Sequence, residues 1–200
     1  MINITKVEHF KNFEKNKNKK QIILCDSFRN SLDYVSSLKN RNNGKYNKIP
    51  NYFITRDGKV INLLPDDSYS NFFEDSEINK NSIIICLENL GWLEKVPLSH
   101  KFYNWIGEEF SGEVFERKWR EKMFWQKYTE EQYNSLRELS SKLTKKFSIN
   151  KSFIGHNTKV DGIKIFNGIV CRSNYNNKFT DPNPSFDFEG LKNFIENERN

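Results

Sequence analysis

The sequence predicts an α/β fold, and three observations carry that expectation. Strand-length apolar runs occur at residues 21–27 and 81–89, a hairpin pattern lies between them, and a helical apolar stripe follows at 129–147. Strands and helices interleaved in this way pack helices against the faces of a sheet.

Residues 1–20 read as an N-terminal arm, with a strand or short helix around Val7, Phe10 and Phe13. Gln21-Ile22-Ile23-Leu24-Cys25-Asp26-Ser27 is a short buried strand that delivers Cys25 and Asp26 at its end, where chains often present reactive side chains. Residues 30–39 form an amphipathic helix with Leu32, Val35 and Leu38 inward, closed by Arg41-Asn42-Asn43-Gly44. Two apolar runs around Arg56-Asp57-Gly58-Lys59 make a β-hairpin over 49–61. The 81–89 strand places Cys86 and Glu88 on one face by its two-residue period. Thr129 and Gln132 form a capping box, and Tyr133, Leu136, Leu139, Leu143 and Phe147 line one side of the helix that follows. A short terminal helix over 190–200 rests on Leu191, Phe194 and Ile195.

Two hundred residues with 17 phenylalanines suit one domain, 1–200, with a sizeable core. A net charge of +6 favours anionic partners such as nucleic acid or the phosphate-rich and carboxylate-rich bacterial wall. The basic residues are scattered and the Lys/Asn run at 15–20 reads as a solvated loop, so no nucleic-acid partner is expected. Neither a signal peptide nor a spanning segment is visible, which predicts a soluble cytoplasmic product with no membrane partner. Three cysteines without close pairs predict reduced thiols.

Chemistry is concentrated in two segments. Gly155-His156 closes an apolar run, and Asp181 follows in the proline-stiffened turn Thr180-Asp181-Pro182-Asn183-Pro184. A histidine and an aspartate are two of the donors a zinc hydrolase needs. The plainer reading is a structural Gly-His and an ordinary Asp-Pro turn. His9 and His100 have no partner pattern and read as surface residues.

The ordered set of the strand ending at Cys25, the NYFITRDGKVINLLP hairpin, the NSIIICLEN strand, the YTEEQYNSLRELSSKL helix, the IGH segment and the TDPNPSF turn resembles the zinc-dependent N-acetylmuramoyl-L-alanine amidases of the phage-lysozyme and peptidoglycan-recognition-protein superfamily. The resemblance runs from about residue 20 to 190. It implies a central mixed β-sheet flanked by helices, and cleavage of the amide between N-acetylmuramic acid and L-alanine.

Residue by residue, the resemblance places metal ligands at His156 and Asp181, and a third at Cys25, where members usually carry histidine. The implied cofactor is zinc. Glu88 is the candidate proton shuttle and Lys178 the candidate oxyanion stabiliser, with Arg29 and Tyr52 assigned to substrate. Pairing of Glu88 with Arg29 or Arg172 is its plainer role. The chain departs from the family at Pro50, where a tyrosine is usual, at Phe179, where a lysine is common, and at 68–71, where a pocket histidine is often found.

Relative to the family, about 92–128 is an insertion holding Trp92, Trp105, Trp119 and Trp125, either stacking on sugar rings or forming a satellite apolar cluster. The expected partner is peptidoglycan or a muropeptide. The expected function is a wall hydrolase of the phage endolysin or virion lysin type. The alternative is a catalytically degenerate member that binds muropeptide or serves as a structural or regulatory virion component.

Overall fold

The computed structural model describes residues 3–7, 10 and 13–197. Its strands are β1 (Ile4–Lys6), β2 (Glu14–Lys15), β3 (Gln21–Asp26), β4 (Tyr52–Ile54), β5 (Val60–Asn62), β6 (Ser68–Tyr69), β7 (Ser82–Leu87), β8 (Trp92–Lys95), β9 (Phe102–Tyr103), β10 (Glu109–Phe110), β11 (Val114–Trp119), β12 (Lys122–Gln126) and β13 (Gly168–Cys171). The helices are α1 (Ser31–Asn40), α2 (Ser76–Asn81), α3 (Glu130–Phe147) and α4 (Phe188–Asn197).

Six strands form one sheet in the order β1-β5-β4-β7-β3-β13. The β4–β5 hairpin is antiparallel, while β4–β7, β7–β3, β3–β13 and β1–β5 are parallel. The sheet is therefore mixed, as the resemblance implies. Central parallel strands are covered on both faces, so 21–26 and 82–87 are buried throughout.

Strand periodicity sends neighbouring side chains into opposite cores. Ile22, Leu24, Ile83, Ile85 and Leu87 meet Leu136, Leu139 and Leu143 of α3 and Leu191 and Ile195 of α4. Ile23, Cys25, Ile84, Cys86 and Val170 face the other way, against Tyr34 and Leu38 of α1 and Ile78 of α2. Each fully buried leucine contributes roughly 1.5–3 kcal/mol.

The capping box on α3 is formed: Thr129 Oγ1 accepts the Gln132 N–H at 3.2 Å, and Gln132 Oε1 accepts the Thr129 N–H at 3.2 Å. Gly58 in the hairpin turn has φ +79°, and a Cβ there would stand 2.8 Å from the Glu131 carbonyl, so the first turn of α3 packs directly onto that glycine.

Helix α1 differs from expectation in its inward face. Leu32 is 86% exposed, and Tyr34 and Leu38, four residues apart, fill the core instead, with Val35 beside them. The N-terminal arm contributes β1 to the sheet edge and β2 to a two-stranded pair with β6. His9, expected at the surface, and the expected helix end at 198–200 lie outside the described residues. Inside the expected insertion, residues 92–126 form an antiparallel sheet ordered β10-β9-β8-β12-β11, which periodicity had not resolved. Trp125 is fully buried there, its ring centroid 5.5 Å from that of Trp119.

Candidate functional site

In open α/β sheets the carboxyl ends of the strands are where ligands bind. Here β3 ends in Cys25-Asp26, β7 in Cys86-Leu87, and β13 in Cys171 followed by Arg172. Cys25 and Cys86 are register partners, and the Cys25 thiol donates to the Ile85 carbonyl at 3.7 Å. Burial, reinforced by Cys86 and the Asp181 carboxylate, pushes the Cys25 thiol well up, so it is a neutral thiol at pH 7.

Asp181 is completely buried beside this strand end. Its Oδ2 accepts the Asp26 N–H at 3.1 Å and the Arg172 Nη1–H at 3.4 Å, while Oδ1 is buried without a partner. Burial raises its carboxyl, against the opposing pull of Arg172. The Arg172 guanidinium lies 4.1 Å from the Phe179 ring centroid and 5.5 Å from that of Phe72. A cation thus reaches this carboxylate from the chain itself.

Asp26 turns the other way. Both its oxygens accept from the Tyr128 hydroxyl, at 2.8 and 2.9 Å, and that hydroxyl accepts the Asn183 N–H at 3.0 Å. Burial, then repulsion from Asp181, pushes the Asp26 carboxyl well up. Asn183 Nδ2 also donates to Asn89 Oδ1 and to the Gln126 carbonyl at 3.0 and 3.1 Å, which pins the 180–185 turn to β12.

Among the residues singled out from sequence, Cys25 and Asp181 come together and His156 does not join them. His156 is exposed, and its Nδ1 lies 2.9 Å from Thr158 Oγ1 and accepts the Thr158 N–H at 3.3 Å. Glu88 accepts the Arg56 N–H at 2.8 Å on Oε2, and its carbonyl accepts from Gln132 Nε2 at 2.9 Å, so it braces the hairpin against α3. Lys178 is exposed on the loop after β13. Tyr52 donates to Asp66 and lines a groove between β1 and the end of α3, whereas Arg29 lines a cavity at the end of β3. The two expected substrate residues therefore face different hollows.

Residues 15–166 match the family model described as N-acetylmuramoyl-L-alanine amidase. The chain belongs to this amidase family. Solved amidases share its fold. LysC, an N-acetylmuramoyl-L-alanine amidase from Clostridium intestinale, aligns with a TM-score of 0.59 at 14% identity over 98% of this chain and 99% of its own. The E. coli amidase AmiD, solved with anhydro-N-acetylmuramic acid-L-Ala-D-gamma-Glu-L-Lys, aligns at 0.54 and 12% identity over 94% of this chain and 61% of its own. The peptidoglycan recognition protein complex LCa/LCx with tracheal cytotoxin aligns at 0.54 and 11% over 94% and 93%. No curated protein matches the chain.

Zinc in this amidase fold requires three donors converging on one point. Among the described residues no group of three or more His, Cys, Asp or Glu side chains is placed to hold a metal ion. Asp181 Oδ2 is engaged by Arg172 and Asp26, the Cys25 thiol is bonded to the Ile85 carbonyl, and His156 stands apart. This donor set does not fit the metal. Arg172 is the residue that sequence reasoning undervalued. Its signal is its position: it directly follows the apolar run Gly168–Cys171 and precedes Asp181 by nine residues.

Proposed function

We propose that this amidase-family protein binds peptidoglycan fragments without zinc-dependent hydrolysis. One observation carries the reading: Arg172 supplies a cation to Asp181 where the family resemblance places a metal. Family membership supports peptidoglycan as the ligand class. AmiD's bound substrate includes a γ-linked glutamate, whose α-carboxylate is free; we take a stem peptide of this kind as the model ligand. Such binding suits a wall-docking virion or lysis component.

A hydrolytic reading draws on the family match over 15–166. The two separate in one experiment. Purified peptidoglycan is incubated with the protein with and without added zinc, then centrifuged, and both sedimented protein and released stem peptides are measured. Sedimentation without released peptide in either condition is the expected result. Release of stem peptides that needs zinc establishes the hydrolase instead.

A further inference from the structure

The end of β3 opens into a cavity of about 230 Å³ whose wall carries Arg29, Arg41, Lys48 and Arg172. Four cations on one concave surface repel one another and draw in an anion. Arg172 is engaged by Asp181. Among the described residues, Arg29, Arg41 and Lys48 form no ion pair with a carboxylate. Asp26 is the one carboxylate in the described wall, and both its oxygens are held by Tyr128.

The arginines are also preset. Arg29 lies 5.4 Å from the ring centroid of Trp105, and that indole donates to the Phe28 carbonyl at 2.7 Å, which fixes the ring against the end of β3. Arg41 lies 4.7 Å from the Tyr46 ring centroid. A guanidinium held against an aromatic face keeps its N–H edge free for the two oxygens of a planar anion. Trp105 comes from the five-stranded sheet over 92–126, in the turn between β9 and β10, so that sheet completes this wall. A hollow of this size falls below the range for drug-sized ligands, which suits one or two anionic groups better than a disaccharide.

Resting on the binding reading above, we propose that this cavity takes the free carboxylates of the stem peptide, with Trp105 of the five-stranded sheet holding Arg29 in place to receive them.

Calorimetric titration of the full chain tests this with three probes: the peptide L-Ala-γ-D-Glu-L-Lys, the same peptide with both carboxylates amidated, and inorganic phosphate; the intact muropeptide is titrated alongside. The acidic peptide is expected to bind about tenfold or more tighter than the amidated one, the loss of at least one charge-assisted contact. Arg29→Gln, and the exposed and therefore fold-neutral Arg41→Gln, each reproduce a loss of about that size, and Trp105→Ala matches Arg29→Gln. Equal binding of acidic and amidated peptides overturns the carboxylate assignment while muropeptide binding stands. Tighter binding of phosphate than of the acidic peptide also overturns it. Failure of the intact muropeptide and both peptides to bind overturns this inference and the binding reading together.

Discussion

Arg172 Nη1 stands 3.4 Å from Asp181 Oδ2, inside a shell formed by the ends of β3 and β13 and by the rings of Phe72 and Phe179. The pair is buried on the carboxylate side and only 24% exposed on the arginine side. Removing one member of such a pair leaves the other charge without compensation.

Arg172→Ala is therefore expected to cost about 3–5 kcal/mol, read as a lower urea midpoint at unchanged slope. Arg172→Lys, which keeps a cation but loses the planar fork and its ring contacts, recovers part of that loss. A wild-type midpoint in Arg172→Ala would show that the pair does not support the fold.

Metal removal is expected to leave stability unchanged. A ligand that binds only the folded chain raises its melting temperature, so stripping a structural zinc lowers it. Thermal melts of protein purified without metal affinity, with and without chelator, should superimpose; a fall of several degrees with chelator contradicts the assignment of Arg172 as the resident cation.

Stability should decline as pH rises out of the acid range. Burial, and for Asp26 the neighbouring Asp181, raises both carboxyls above their unfolded value of about 4. The folded state thus retains protons that the unfolded chain releases. That contribution is fully present below the unfolded value and is lost as pH rises through the raised folded value. Asp26→Asn removes one of the two groups, so its melting temperature should vary less between pH 4 and 8 than the wild type's. Identical profiles for the two proteins would rule out Asp26 as a source of the slope.

Glu88→Gln separates a bracing role from catalysis. Oε2 accepts the Arg56 N–H at 2.8 Å, so exchanging the carboxylate for an amide weakens a charge-assisted bond and is expected to cost about 1 kcal/mol. Muropeptide affinity should be unchanged in the same variant. If affinity falls while stability holds, Glu88 acts on the ligand.

Leu139→Ala tests the helix side of the core. The side chain is fully buried between α3 and the sheet, and its truncation is expected to cost about 2–5 kcal/mol in denaturant unfolding, with binding at the far end of β3 unchanged. A loss below 1 kcal/mol would mean that the site collapses around the cavity.

Strands β3 and β7 of the central sheet, the hairpin, helix α3 with its capping box and the family itself were legible in the chain, because each depends on local period or on turn and cap chemistry, whereas β1 and β13 at the sheet edges were not. Ile22 and Leu24 against Ile23 and Cys25 announce their two faces by alternation alone, and Thr129 with Gln132 announces a helix start. Leu32 points outward because a ten-residue helix offers two plausible stripes, and only the packing of Tyr34 and Leu38 on Phe53 and Cys86 selects one. The five-stranded sheet over 92–126 carries no clear period because its strands are short and half exposed, with charged residues between the aromatics. Sequence thus determined which residue types were present for a site: a cysteine, a histidine, an aspartate and several arginines. Tertiary structure alone decided which of them meet, since β3 and β13 are parallel neighbours only in the folded sheet. That pairing carries the loop holding Arg172 and Asp181 to Asp26 and Cys25, because contact between residues distant in the chain is set by strand order and register, which no local pattern encodes.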